Sequence, residues 1–236
     1  MVAVDPRSLA VQELAAGIRR LERSRRHFDR ADQDVASTGI SALDALLPHR
    51  GMLRGTLTEW TSIRAGGGAM TLAVQAAREA RQTGPIVVVD PLRCFHAPAA
   101  ELMRVSLDSL ILVRPRSRND ALWAIEQALR CSAVDVVLIS MATPSSRECR
   151  RLQLAAEAGG SVGLLVRSGV DRGPSTWADV RLQVEPVTGT RPDHVRRLRI
   201  NVMHARGSYC ESGVVLDVCD ETAAVHLVSE LSDAAI

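Results

Sequence analysis

The sequence predicts an α/β fold of three layers, in which helices cover both faces of a mainly parallel central sheet and antiparallel strands join one edge near the C-terminus. Short apolar runs alternate with helical patterns between residues 56 and 166, which is typical of right-handed βαβ units. These runs are apolar at consecutive positions, as expected for strands that are buried on both faces. After Trp177, strand patterns follow one another without helices, which indicates antiparallel pairing.

The predicted elements follow from local signals along the chain. Ser41 stands before an apolar run and predicts the N-cap of a short helix. A strand over Thr56–Thr61 leads through a glycine-rich stretch into a helix that ends at Gly84-Pro85. Further helices are predicted at Asp120–Cys131 and Ser145–Ala158, and further strands at Ile86–Asp90, Ser109–Val113, Val134–Ser140, Ser161–Val166, Asp179–Glu185, Arg196–His204 and Gly213–Cys219.

Length and composition predict one main domain with short extensions. Of the 236 residues, 46% are hydrophobic, which is ample for a single core. We expect an N-terminal helical arm and linker over residues 1–36, a core domain over 37–220, and a loose C-terminal tail or short helix over 221–236. No apolar run approaches the ~20 residues of a membrane span, and the N-terminus lacks a signal pattern. We therefore expect a cytoplasmic protein without membrane contact.

The N-terminal arm carries a narrow apolar stripe at helical spacing, formed by Leu14, Ile18 and Leu21. Arginines outnumber acidic residues on the same segment. A basic amphipathic helix of this kind docks on a partner or on phosphates, or it packs on the core with its charged face in solvent. Both interpretations stay open, and the three apolar residues are candidates for partner binding.

A glycine-rich loop after the first long strand is the main candidate site. A strand, a glycine-rich turn and a helix N-terminus together form the usual cradle for phosphates. A phosphate-binding loop reads G-x-x-x-x-G-K-[ST], with lysine on the phosphates and a hydroxyl on magnesium. The lysine position falls on Gly68 or Ala69 and the hydroxyl position on Ala69 or Met70, depending on a one-residue gap. All 29 basic residues of this chain are arginine, so the lysine is missing in either case. The degenerate loop consists of Ser62, Gly66, Gly67, Gly68, Ala69, Met70 and Thr71. We expect no bound nucleotide and no cofactor.

Other constellations are weak. The five cysteines and six histidines lack metal-ligand spacing, so no metal site is expected. No serine lies in a G-x-S-x-G elbow, which argues against a hydrolase triad. Trp123 and Trp177 have apolar neighbours and are expected in the core. Arg196, Arg197 and Arg199 alternate on a strand that we expect at a sheet edge, where positive charge prevents edge-to-edge pairing.

Three arginines follow a predicted strand at the carboxyl edge of the sheet, where open α/β sheets bind ligands. They are Arg114, Arg116 and Arg118. They contact DNA phosphates or an acidic partner, or they belong to a solvated loop. The sequence leaves both interpretations open.

The order of motifs resembles the ATPase core of the RecA recombinase family over roughly residues 38–205. The motifs are Thr38-Gly39, Leu43-Asp44, Gly55, Glu59, the glycine-rich loop, Val89-Asp90, Asp108 and Val134–Val137. Within that superfamily the chain is similar to the ImuA group of RecA-like accessory proteins in error-prone DNA-damage mutagenesis. The segments similar to that group are Val113–Pro115, 120–131 and 151–160.

The resemblance implies that the catalytic residues are lost. A RecA-type ATPase places a glutamate base two residues beyond the acid that ends the next strand, and Leu92 stands there. It places a metal-binding aspartate at the end of a later strand, and Ser140 stands there. Each of these groups serves positioning or charge stabilisation in phosphoryl transfer.

The resemblance implies a non-catalytic accessory protein in the SOS response and translesion synthesis. The implied partners are a RecA filament, an inactive Y-family-like polymerase homologue and an error-prone DnaE-type polymerase, with direct DNA contact also open. The alternatives are an atypical RecA-family ATPase or recombinase that uses Arg64 in place of lysine, and a cell-division inhibitor of the SulA type.

Overall fold

A computed structural model describes residues 35–169, 178–188, 192, 194–206 and 212–228. The arm residues Leu14, Ile18 and Leu21, together with Trp177, lie outside the described residues. The strands are β1 (Val35–Ala36), β2 (Met52–Leu53), β3 (Leu57–Ser62), β4 (Ile86–Val89), β5 (Leu110–Val113), β6 (Val136–Ser140), β7 (Val162–Ser168), β8 (Val180–Pro186), β9 (Val195–Ala205), β10 (Gly213–Cys219) and β11 (Val225–Leu227).

Five α-helices and one 3₁₀ turn connect these strands in the described part of the chain. The helices are α1 (Ser41–Leu46), α2 (Ala69–Ala80), α3 (Ala97–Leu102), α4 (Arg118–Arg130) and α5 (Ser146–Gly159), and the 3₁₀ turn covers Leu107–Ser109.

A nine-stranded sheet organises the described residues, in the order β11-β10-β9-β8-β3-β7-β6-β4-β5. The six strands from β8 to β5 are parallel, whereas β9, β10 and β11 each pair antiparallel with their neighbours. The α/β fold with a mainly parallel sheet and antiparallel strands near the C-terminus is therefore confirmed.

Apolar side chains of the sheet form a core on each of its faces. On one face, the fully buried Trp60 of β3 joins a cluster with Leu43 of α1 and Leu72 of α2. On the other face, Ile125 of α4 and Leu152 of α5 belong to the second cluster. Alternate residues of β3 point to opposite faces, so this strand contributes to both cores and completes the three layers.

Helices α4 and α5 begin at serine caps. The Ser117 hydroxyl accepts from the Asp120 N–H at the start of α4. At the start of α5, Ser145 and Glu148 form a capping box, with each side chain accepting from the other residue's N–H. The Arg118 guanidinium also donates to Glu148 and, with the capping contacts, holds the pKa of that carboxyl at about 2. The two helix starts are thereby tied together.

Several local predictions are corrected. Ser41 is the first helical residue and not the N-cap, which is Ile40 without a side-chain cap. Asp44 fixes this turn instead, since its carboxylate accepts from the Thr38 N–H at 2.9 Å and the Thr38 hydroxyl at 2.7 Å. The expected polar linker contains β1, which pairs with β2.

Corrections at the C-terminal strands concern pairing. β8 was expected to be antiparallel but is parallel to β3. β9 lies between β8 and β10, so its arginines do not guard an edge. Val225–Leu227, expected in a loose tail or short helix, forms β11.

Candidate functional site

The carboxyl ends of the parallel strands place the predicted site residues at one edge of the sheet. Ser62 ends β3, Asp90 follows β4 and Ser140 ends β6. Ligands of open α/β folds bind outside this edge. The sheet order places β7 between β3 and β6, so the glycine-rich loop stands apart from the pair formed by Asp90 and Ser140.

The glycine-rich loop is closed by its own hydrogen bonds. The Ser62 hydroxyl donates to the carbonyl of Arg64 at 2.9 Å, and the Gly67 N–H donates to the same carbonyl at 3.1 Å. A Cβ at Gly67 would lie 2.8 Å from the Ser62 Cβ, so only glycine fits this turn. Two donors of the loop are therefore already satisfied internally. Arg64 itself is exposed and precedes the glycines.

A leucine from β9 contacts the start of α2. Gly68 is the N-cap position with φ of 95°, and a Cβ there would lie 2.5 Å from Cδ1 of Leu198. The Leu198 side chain is buried. Gly68, one of the two positions (with Ala69) on which the lysine of a phosphate-binding loop falls, is thus packed against an apolar side chain. Sequence reasoning missed this contact because β9 is far away along the chain.

An open depression of about 210 Å³ adjoins the loop at Gly66. Arg196 and Arg197 line it, and each donates to a carboxylate, Arg196 to Asp220 at 2.6 Å and Arg197 to Asp217 at 2.7 Å. These two arginines therefore connect β9 to β10 and to the turn that follows β10.

Asp90 is fully buried and caps the turn after β4. Its two carboxylate oxygens accept from the N–H groups of Cys94 and Phe95, each at 3.0 Å. The Nε of Arg114 lies 3.7 Å from Oδ2. This acid is thus used to fix the local backbone.

Leu92 and Ser140 occupy the positions at which the resemblance expects a base and a metal ligand. Leu92 is 57% exposed. The Ser140 hydroxyl lies 2.8 Å from the Cys94 sulfur. Cys94 is exposed, but partial desolvation of its sulfur, together with the nearby Asp90 charge, raises the pKa of the thiol. No sequence signal pointed to Cys94.

The three arginines after β5 have different roles. Arg114 donates to the Phe95 carbonyl at 3.1 Å, and Arg118 donates to the Thr143 carbonyl at 3.2 Å and to Glu148 at 2.8 Å. Arg116 is exposed and forms no hydrogen bond within the described residues. Two of the three candidates are therefore occupied by contacts within the fold.

A buried ion cluster joins three neighbouring strands, and the sequence analysis did not find it. Glu59 of β3 is fully buried; it forms ion pairs with Arg167 of β7 and, at 2.8 Å, with Arg181 of β8. The Arg167 guanidinium also donates to the Thr143 hydroxyl at 2.7 Å. Buried charges persist only when they are paired. The cluster thus connects β7, β3 and β8 across the centre of the sheet.

The described residues contain no cluster of His, Cys, Asp or Glu able to hold a metal. The four cysteines within them are free thiols. None of the helices in the described part of the chain has the length and apolar content that crossing a bilayer requires.

Comparison with known proteins identifies the family. Residues 17–149, more than half of the chain, match the RecA N-terminal domain. The chain belongs to the RecA N-terminal domain family. Protein RecA of Rhodopirellula baltica is 34% identical over 107 residues, which is 45% of this chain and 28% of that protein. Protein RecA of Chlorobaculum tepidum is 36% identical over 106 residues, which is 44% of this chain and 30% of that protein.

A solved structure shares the fold. The crystal structure of the RadB recombinase superimposes with a TM-score of 0.64 at 16% identity, covering 82% of this chain and 100% of that one. The RecA proteins match over less than a third of their own length. The resemblance to the RecA superfamily is thus confirmed, while the narrower assignment to the ImuA group stays a prediction.

Proposed function

We propose that this RecA-family chain is a non-catalytic accessory protein of DNA-damage-induced translesion synthesis, which acts in the cytoplasm by recruiting other proteins. The observation that carries the proposal is the contact between Gly68 and Leu198. The loop keeps the strand-turn-helix shape of a phosphate cradle, but an apolar side chain packs against Gly68, and Ala69, the other position open to the lysine, is buried.

The other positions support the same conclusion. A leucine stands at position 92, where the resemblance expects the base, and the serine at position 140 is in contact with the Cys94 thiol. Removing a single charge-stabilising group from such a site costs about 10²–10³ in rate. Here the lysine, the base and the metal ligand are replaced together, so turnover falls below detection.

A nucleotide-binding measurement tests this proposal. The whole chain is titrated into a fluorescent ATP analogue with and without Mg²⁺, with a full-length RecA protein as the positive control. We expect no saturable binding and no phosphate release. Micromolar affinity with measurable turnover would overturn the proposal and favour the atypical ATPase, with Arg64→Ala as the variant that identifies its cation.

The proposed partners follow from the ImuA resemblance: a RecA filament, an inactive Y-family-like polymerase homologue and an error-prone DnaE-type polymerase. A non-catalytic accessory protein acts through its surfaces. The arm stripe of Leu14, Ile18 and Leu21 and the exposed Arg116 are the first candidates.

A further inference from the structure

Two large apolar side chains on neighbouring helices point into solvent. Trp123 of α4 is 65% exposed and Leu154 of α5 is 45% exposed. Each lies two residues from a buried core position, Ile125 and Leu152 respectively. Two residues correspond to about 200° around an α-helix, so both side chains point away from the sheet. This exposure corrects the expectation that Trp123 belongs to the core.

The two helices present these side chains on one surface. Both pack on the same face of the sheet through a common core cluster. Ion pairs also cross between them, from Arg118 to Glu148 at 2.8 Å and from Arg151 to Glu126. We define the α4–α5 face as Trp123, Arg130, Arg147, Arg151 and Leu154.

Among the exposed charged side chains of α4 and α5, arginines outnumber carboxylates two to one: Arg118, Arg130, Arg147 and Arg151 against Asp120 and Glu157. Arg130 and Arg151 share Glu126, and each arginine side chain is 55% exposed, compared with 12% for the glutamate. Arg147 is exposed and has no hydrogen bond or ion pair within the described residues. A guanidinium has five N–H donors, so one carboxylate does not exhaust it. The face therefore combines an apolar centre with cations that still have free donors.

We propose that the α4–α5 face is a docking site for an acidic amphipathic segment of a partner protein. Apolar side chains of such a helix, repeating every three or four residues, would contact Trp123 and Leu154. Its carboxylates would pair with Arg147 and Arg151. Charge complementarity is the basis for this choice of occupant.

Nucleic acid fits the face less well. Sites for single strands stack successive bases on several aromatic side chains, and this face has one aromatic residue beside an aliphatic one. The inference deepens the proposed function because it names a recruitment surface. It rests on exposure and charge, which do not depend on the loss of ATPase chemistry.

Three designed helical peptides of about 18 residues test the site. They share one leucine face and carry glutamate, glutamine or lysine at the remaining positions. Fluorescence anisotropy measures their affinity for the whole chain. We expect the glutamate peptide to bind about tenfold more tightly than the glutamine peptide and the lysine peptide to bind most weakly.

Variants assign the binding to the face. The double variant Trp123→Ala with Leu154→Ala is expected to weaken the binding of the glutamate peptide about tenfold. The double variant Arg147→Glu with Arg151→Glu is expected to bind the lysine peptide more tightly than the glutamate peptide. Leu102→Ala is the matched control, because Leu102 of α3 is also 65% exposed. It is expected to leave the affinity unchanged, and unchanged thermal melts verify that every variant is folded.

Several outcomes overturn the docking site. These are equal affinity for all three peptides, no binding of any peptide, or binding that the face variants leave intact. If the chain binds oligothymidylate and Trp123→Ala abolishes that binding, the face is a nucleic-acid site instead. If the chain forms a dimer that Trp123→Ala dissociates, the face is a self-association surface instead. None of these results changes the nucleotide titration, so failure here is distinct from failure of the proposed function.

Discussion

Single residues decide what the glycine-rich loop can hold. The glycines of the loop are visible in the sequence, but the packing that requires glycine at position 68 is not. Gly68 contacts Leu198 of β9, which is far away along the chain. The contact between Cys94 and Ser140 is similar, because these residues are 46 positions apart. Local patterns identify which side chains are missing from a site. They do not identify the side chains that take the space.

Substitutions at two glycines separate backbone strain from side-chain overlap. Gly66 and Gly68 have φ of 78° and 95°, and a Cβ at Gly66 meets nothing within 4 Å. Alanine at either position is expected to lower the free energy of unfolding by about 1–2 kcal/mol, because its Cβ disfavours the left-handed backbone conformation. Gly68→Ala also pushes against the buried Leu198, which adds about 1–3 kcal/mol.

Urea unfolding of the two variants measures this difference. In the Leu198→Ala background the extra cost of Gly68→Ala is expected to shrink, because the overlapping methyl groups are gone. Equal destabilisation by Gly66→Ala and Gly68→Ala would show that Leu198 does not restrict the loop.

At the level of elements, the long strands were predictable and the short ones were not. Ile86–Val89 and Val136–Ser140 are continuous apolar runs because both faces of each strand are buried. In contrast, β1 has two residues and β11 three, too few for any periodicity. The parallel orientation of β8 was also missed, since its alternating burial resembles that of an antiparallel strand.

The buried ion cluster is expected to hold three strands together. Glu59→Gln removes the only negative charge among Glu59, Arg167 and Arg181 and leaves two arginines, one of them with a side chain only 6% exposed. Breaking such a buried pair lowers the free energy of unfolding by about 3–5 kcal/mol. Urea unfolding measures this loss as a lower midpoint concentration.

Glu79→Gln serves as the control for this cluster. Its ion pair with Arg78 is at the surface, with side chains 30% and 38% exposed, and its loss costs about 0–1 kcal/mol. Similar costs for Glu59→Gln and Glu79→Gln would mean that the cluster does not stabilise the sheet.

At the scale of the whole molecule, the layer architecture was predictable because alternating strands and helices restrict the topology. The exposure of Trp123 was not, since apolar neighbours in sequence resemble those of a core residue. The proposed function depends on surfaces, and the candidates are the α4–α5 face, the arm stripe and Arg116.

The arm stripe is tested by charge insertion. Leu14→Asp with Ile18→Asp places carboxylates on the apolar stripe, so pull-down of the Y-family-like polymerase homologue is expected to be lost while the thermal melt of the chain hardly changes. Leu102→Asp, at an exposed position outside the arm, is the control and is expected to retain binding. Retention of the partner by the arm variant would count against the arm.

The packing of Leu198 on Gly68 also limits how the protein can evolve. A lysine restored at position 68 would meet the leucine at its first side-chain carbon, and a hydroxyl restored at position 69 would enter a buried site. A side chain at position 68 therefore requires a second change in β9 that makes room for it. The two positions are thus epistatically coupled, because the effect of a substitution at position 68 depends on the residue at position 198.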